Sequence, residues 1–252
     1  MAISERDIMG GLAKGLAVIE TFTAERPRQS IAEVSAASGL DRATARRCLL
    51  TLAYQGYADY DGKFFTLTPR ILRLGTACLA TMPLPQIVQP MLDRLSEEIG
   101  ESSSVSILDG SEIVYVARAA QRKVMSVVLM PGSRLPAYCT SMGRVLLAGL
   151  PESEARAILG TDTLPARTSR TLTDPEAVVA ELVRVRAQGY AAIDQEVEEG
   201  LRSVAVPLLN VRGRVIAALN TGLPASGPVA DLTSRYLPAL LAVQAQLKPI
   251  LR

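Results

Sequence analysis

Apolar positions fall three and four apart over the first hundred residues, alternate every second residue in five short runs further on, and return to the helical period at the end. Residues 11–22 predict a helix with Leu12, Leu16 and Ile19 inward and Phe22 as a further inward position. The densest pattern lies in residues 30–56. Ser30 caps a helix whose Ile31, Val34 and Ala37 face a core, and Gly39 breaks it. Leu40 plugs the turn, and Asp41 caps a second helix that gathers Ala45, Cys48, Leu49 and Leu52 on one face. Ala43, Thr44 and Arg47 take the opposite face, with Arg42 in the first turn and Arg46 on the flank.

Two helices about a tight turn, with arginines on the second, form a DNA-reading motif. A helix of that width fits the major groove, Ala43 and Thr44 are short enough for close approach, and guanidinium groups bond guanine bidentately or hold phosphates. The competing interpretation is an ordinary amphipathic hairpin with a solvated basic face. Two strands follow, at 57–60 and 63–68, about an Asp61-Gly62 turn. The order helix, helix, reading helix, β-hairpin is that of a winged helix-turn-helix. Ser30, Arg42, Ala43, Thr44, Arg46, Arg47 and, at the hairpin tip, Lys63 are its candidate DNA contacts.

Thr68 and Pro69 cap and open a helix running through Ile71, Leu72, Leu74, Cys78 and Leu79, and Pro83 and Pro85 read as a hinge. This divides the chain into a DNA-binding domain (1–68), a linker helix with its hinge (69–83) and a second domain (84–252). The linker's apolar stripe serves either a dimer contact or its own domain. Beyond it a helix at 87–99 precedes strands at 103–108, 112–118 and 124–130. Helices at 140–150, 152–159 and 175–188, strands at 204–209 and 215–220, and a helix at 229–250 complete the chain. Hairpin strands at both ends with helices between them predict an α+β domain with an antiparallel or mixed sheet. Its size and composition suit a small-molecule sensor.

Composition narrows the chemistry. A hydrophobic share of 48% against 21% charged is that of a globular protein, and no apolar run approaches the roughly 20 residues needed to span a bilayer. With no signal-peptide pattern, the expected location is the cytoplasm. The net charge is only +2, but residues 1–80 hold 10 Lys/Arg against 8 Asp/Glu while the remainder holds 17 of each, so the excess lies with the reading motif. Histidine is absent, which excludes a Ser-His-Asp triad, a Cys-His dyad and any His-ligated metal. Cys48, Cys78 and Cys139 are too scattered for a zinc cluster or disulfide framework, and neither metal nor cofactor is expected. A hydrolase using Ser141 or Cys139 as nucleophile lacks an obvious base, so the chain is not expected to be an enzyme.

From about residue 12 to 250 the chain resembles the IclR family of bacterial transcriptional regulators. Three blocks carry the likeness: residues 11–20 with 31–34 and 43–52, Gly-Ser-Arg-Leu-Pro-Ala-Tyr-Cys-Thr-Ser-Met-Gly-Arg-Val-Leu-Leu-Ala at 132–148, and Gln-Glu-Val-Glu-Glu-Gly-Leu-Arg-Ser-Val-Ala-Val-Pro at 195–207. The second and third are most similar to regulators of aromatic-acid breakdown through the β-ketoadipate pathway, those answering to protocatechuate, 4-hydroxybenzoate or β-ketoadipate. A regulator of another carboxylic-acid pathway is the alternative. The resemblance implies a GAF- or profilin-like sensor domain and dimers, or dimers of dimers, on pseudo-palindromic double-stranded operators. It implies an effector pocket that includes Asp194, Ser203 and Asn220. Some relatives carry Cys at the first serine and Ser at the asparagine.

A carboxylate effector needs donors. The amides of residues 138–143, spanning Tyr138, Cys139 and Met142, can cradle an anion with the Thr140 and Ser141 hydroxyls, unless either hydroxyl merely caps the helix. Arg134 and Arg202 are candidate counter-ions or else surface ion-pair members. Tyr138 stacks on an aromatic ligand or sits in the core.

Overall fold

The structure, a computed structural model, describes residues 4–23, 25–121, 129–226 and 228–252. It divides into two compact units, Met1–Ala80 and Thr81–Arg252. The strand expected over 124–130 falls, except for Leu129 and Met130, outside the described residues, as do the side chains of Cys78 and Leu79.

In the first unit, α1 (Gly10–Glu20), β1 (Arg28–Ser30), α2 (Ile31–Ser38) and α3 (Arg42–Tyr54) precede β2 (Ala58–Tyr60) and β3 (Phe64–Leu67). A single 3-10 turn, Pro69–Ile71, then leads into α4 (Leu72–Thr81). The three strands form an antiparallel sheet in the order β1-β3-β2. Local chemistry sets the boundaries. Ser30 and Glu33 bond reciprocally, the Ser30 N–H donating to Glu33 Oε2 at 2.7 Å and the Glu33 N–H to Ser30 Oγ at 3.4 Å. Gly39 ends α2 at φ 69°, where a side chain would strain the backbone, and Asp41 Oδ1 accepts from the Thr44 N–H at 2.9 Å to start α3. At the wing tip Asp61 Oδ1 accepts from the Lys63 and Phe64 N–H groups at 2.9 and 2.8 Å.

Val18, Val34, Ala45, Leu49, Ala58 and Phe65 make this unit's core. Helix α1 is turned from the expected face: Val18 is buried, with Phe22 packed beside it, while Leu12 and Leu16 are 61% and 47% exposed. The reason is polar. Thr21 is buried with its carbonyl accepting from the buried Gln29 amide at 2.9 Å, which fixes which side of the helix end faces β1. Ala37 is likewise exposed rather than inward, leaving Val34 as the buried residue of α2. Strand β1 escaped the pattern because Arg-Gln-Ser has no apolar alternation.

The second unit runs α5 (Pro83–Ile99), β4 (Ser102–Asp109), β5 (Glu112–Ala119), β6 (Arg134–Pro136), α6 (Ser141–Ala148), α7 (Glu152–Leu159), α8 (Pro175–Gln188), β7 (Ala191–Asp194), β8 (Leu201–Leu209), β9 (Val215–Pro224) and α9 (Val229–Leu247). One six-stranded antiparallel sheet, ordered β6-β5-β4-β9-β8-β7, has α5 and α9 on one face and α6, α7 and α8 on the other. The prolines read as a hinge instead lie in the first turn of α5, where a missing N–H would have had no intrahelical partner, so this helix begins four residues before the expected start. The short β6 and β7 are additional to the expected strands.

The two sheet faces differ in bulk. Val204, Val206, Ala217 and Leu219 point to α5 and α9, whereas Ala205 and Ala218 point to α6. Small side chains let α6 lie close to the sheet, and all eight of its residues are buried. A methyl at Gly143 would stand 2.1 Å from the carbonyl oxygen of Ala137, so glycine is required there by contact rather than by backbone angle.

Candidate functional site

Helix α3 presents Arg42, Ala43, Arg46 and Arg47 to solvent, with Thr44 half-buried and its hydroxyl donating to Asp41 Oδ2 at 2.7 Å. No carboxylate among the described residues pairs with any of the three arginines, so their charge remains available to an external anion. Lys63 is exposed at the wing tip, its ammonium 5.0 Å from the centre of the Phe64 ring. Arg28, which bonds Asp61 Oδ2 at 2.5 Å, ties the first strand of the sheet to that tip. Ser30 is occupied as a helix cap.

The second unit carries a pocket on the α6 side of the sheet. Of the candidates, Thr140, Ser141, Met142, Ser203 and Asn220 line it together. Its floor is concave because Ser102, Ser203 and Gly222 on neighbouring strands are small. Thr140 Oγ1 accepts from the Gly143 N–H at 3.1 Å, and thus caps α6. Met142 Sδ accepts from Ser106 Oγ at 3.2 Å. Ser141 differs from both: it is 1% exposed and its Oγ has no hydrogen-bond partner among the described residues. A buried hydroxyl without a partner costs on the order of 1–3 kcal/mol. It stands on the wall of the pocket.

The other candidates stand apart from the lining. Arg134 is exposed and bonds Glu112 Oε2 at 2.7 Å and Asp109 Oδ2 at 2.8 Å. Arg202 Nε bonds Asp194 Oδ1 at 2.5 Å, and Arg170 bonds the other carboxylate oxygen at 2.7 Å. Tyr138 is buried, its hydroxyl donating to the Pro165 carbonyl, and burial pushes its pKa up to about 12. Cys139 is buried beside it, and burial holds the thiol up at about 11, so it is protonated at neutral pH and no thiolate nucleophile forms.

The Arg202 hydrogen bond holds Asp194 below the usual carboxylate range. Asp194 therefore adds stability at pH above its ordinary value of about 3.9, and that contribution is lost as pH falls through the lowered one. Asp194→Asn should flatten the acid side of a plot of urea midpoint against pH.

Residues missed from sequence complete the pocket: Tyr115 and Arg118 from β5, Leu129, Leu135, Val197 and Leu201. Tyr115 is buried, which raises its pKa to about 12, and it faces the pocket as a neutral phenol. Arg118 donates to Ser104 Oγ at 2.9 Å and meets no carboxylate among the described residues; burial lowers its pKa from the usual arginine value. Beside Val197, Glu196 reaches under α6. Its Oε2 accepts from Arg144 at 2.7 Å and from the Leu172 N–H at 3.1 Å, with the two paired side chains 10% and 2% exposed. Arg144 Nε also donates to the Tyr138 carbonyl at 3.0 Å. The loop after β7 is thereby pinned to the helix that carries Ser141. Gln195, at φ 63°, is the non-glycine residue among those described that takes up left-handed backbone to make this loop.

Among the described residues no group of three or more acidic or cysteine side chains could hold a metal ion, and no helix is long and apolar enough to cross a membrane.

Known proteins match both units of the chain. Residues 11–62 match the IclR helix-turn-helix domain and residues 76–247 the C-terminal domain of bacterial IclR transcriptional regulators. The chain is 46% identical to the Pca regulon regulatory protein of Pseudomonas putida over 243 residues, covering 96% of this chain and 84% of that one. It is 37% identical to the p-hydroxybenzoate hydroxylase transcriptional activator of Acinetobacter baylyi, covering 86% and 82%. Among solved structures, an IclR homologue from Microbacterium hydrocarbonoxydans complexed with 4-hydroxybenzoate superposes with a TM-score of 0.72 at 27% identity, covering 94% and 98%. These relatives are regulators rather than enzymes, and this chain belongs to the IclR family of bacterial DNA-binding transcriptional regulators.

Proposed function

We propose that this regulator controls genes of aromatic-acid breakdown through the β-ketoadipate pathway, in the cytoplasm, by binding a small organic acid such as protocatechuate, 4-hydroxybenzoate or β-ketoadipate in the pocket beneath α6. The observation that carries the reading is the buried, unpartnered Ser141 hydroxyl on the wall of an otherwise largely apolar pocket. The likeness to regulators named for Pca and p-hydroxybenzoate functions supports the ligand class. Thr140, Ser141, Met142, Ser203 and Asn220 are the proposed effector contacts. Arg134, Tyr138, Cys139, Asp194 and Arg202 act from outside, fixing the surrounding loops.

A dimer or tetramer places two reading helices on a pseudo-palindromic operator, with half-sites spaced by about one DNA turn, roughly 34 Å, or a multiple. The effector binds one arrangement of sensor domains better than the other, and residues 69–83 carry the difference to the reading helices. Footprinting of the adjacent intergenic region with and without each of the three acids tests this. Protection that changes with an acid supports it. Operator affinity and transcription unmoved by saturating, demonstrably bound acid overturn it.

At the other end of the chain, Arg47→Ala and Arg42→Ala are each expected to weaken operator binding by about 1–3 kcal/mol, with relaxed preference at one base position, if the guanidinium reads a base. An equal loss on all DNA, with a shallower salt dependence, assigns the residue to phosphate. Fluorescence anisotropy on operator and scrambled duplexes at two salt concentrations separates the cases, and no loss for either variant rejects α3 as the reading helix.

A further inference from the structure

We infer that Arg118, turned into the pocket by a β-bulge, anchors the carboxylate of an aromatic monocarboxylic acid whose ring lies against Leu129, Leu135 and Met142 and whose polar substituent meets Ser141. This deepens the proposal that the pocket takes the effector, and rests on it.

Strand β5 begins with regular alternation, and strict continuation would put Tyr115 and Arg118 on opposite faces. The register shows why they share one. Ser106 pairs with Tyr115 and Val105 with Ala117, so Val116 is the extra residue. Val116, Ala117 and Ala119 all belong to the core against α5 and α9, while Tyr115 and Arg118 both line the pocket under α6. A bulge that re-aims one side chain is a recurrent device beside binding sites.

Arg118 is the arginine among the described residues that line the pocket, and its pairing differs from that of the arginines weighed from the sequence and those tied to their loops. Arg134, Arg202, Arg170 and Arg144 are each paired with carboxylates. Arg118 has only the Ser104 hydroxyl, a neutral partner, and its charge faces the pocket unmatched among the described residues. The alternative anion site is the start of α6, but a helix terminus offers the equivalent of roughly half a charge, and Thr140 already satisfies one of its amides. A full guanidinium charge in a partly desolvated wall wins that competition. With one unmatched cation among its described lining residues, the pocket favours one carboxylate. The buried phenol of Tyr115 and the Ser141 hydroxyl are neutral partners for a ring substituent.

Calorimetric titration of the full chain with 4-hydroxybenzoate, 4-hydroxybenzamide and benzoate tests the assignment. The native protein should prefer the acid to its neutral amide. Arg118→Met should weaken acid binding about 30-fold, as expected for loss of a charge-assisted contact, and leave amide binding within about threefold. Arg118→Lys, which keeps charge but not the planar fork, should fall between. Ser141→Ala should erase the preference for 4-hydroxybenzoate over benzoate while leaving acid over amide intact. A urea midpoint equal to that of the native chain shows that each variant is folded, and the lysine variant serves if the methionine variant is not. An undiminished preference for acid over amide in either folded Arg118 variant overturns the inference and leaves the effector reading standing. Native protein that binds none of these aromatic acids, nor protocatechuate, overturns the inference, and if it does not bind β-ketoadipate either, the effector reading falls with it.

Discussion

Glu196→Ala is expected to destabilise the 81–252 unit by about 3–5 kcal/mol, the usual cost of leaving a buried charge without its partner. Arg144 is 2% exposed, and Glu196 is its carboxylate partner at 2.7 Å. Removing the glutamate strands a guanidinium beneath a fully buried helix and frees the Leu172 N–H as well. Urea denaturation of the full chain followed by near-ultraviolet circular dichroism would register the loss. Two comparisons separate the pair from simple packing. Replacing both partners, as Arg144→Met with Glu196→Leu, should cost less than the single change, because no orphaned charge remains. Effector affinity should fall with the single change, since the same contact holds the Val197 wall against the helix bearing Ser141. A Glu196→Ala chain as stable as the native one would mean that the guanidinium finds water or another partner at little cost.

Gly143→Ala is the second large effect. The added methyl would be placed 2.1 Å from the Ala137 carbonyl oxygen and 2.3 Å from its Cα, and both are backbone atoms that cannot swing aside. Helix α6 must move away from the turn before it. That forfeits packing on the Ala205 and Ala218 patch and strains the Thr140 cap, for a cost of about 3 kcal/mol, near the upper end of ordinary overpacking. Gly149→Ala is a useful comparison, because its methyl would meet Cβ and Cγ2 of Val215 at 2.7 Å, and since Cβ moves only with its backbone the start of β9 must shift to admit it. We expect Gly143→Ala to abolish effector binding while non-specific DNA affinity, which resides in the other unit, persists. Retained effector binding would show that the α6 contact is looser in solution.

The legible parts of this chain are those whose chemistry is local. Ser30 with Glu33 and Asp41 with Thr44 lie three residues apart, so the caps that frame the reading helix can be read directly from spacing, as can the Asp61-Gly62 turn. The face of α1 was not legible, because its rotation depends on a hydrogen bond between Thr21 and Gln29 across a loop. The pocket was only half legible. Ser203 and Asn220 came through family resemblance, and Thr140, Ser141 and Met142 through the donors that a helix start offers a carboxylate, whereas Arg118 was hidden by a bulge that periodicity cannot register. Arg134 and Arg202 looked equally suited to hold an anion, and what distinguishes them from Arg118 is the carboxylates that folding brings to them from up to 25 residues away. No sequence pattern marks Ser141, or Ser103, as a serine whose buried hydroxyl has no partner among the described residues.

The unequal faces of the six-stranded sheet bear on how such a sensor can change. Several strand residues that hold α5 and α9, among them Val105, Val204, Val206, Leu208 and Leu219, are bulky, and losing one would empty a large volume. Those that shape the pocket floor are serine, asparagine and glycine, whose replacement by another small side chain removes little buried hydrocarbon. If this pocket takes the effector, as proposed, the strand residues that meet the ligand are ones whose exchange disturbs the core little. A lineage meeting a new carbon source can alter Ser203 or Asn220 at small cost to a stability margin that few proteins can spare.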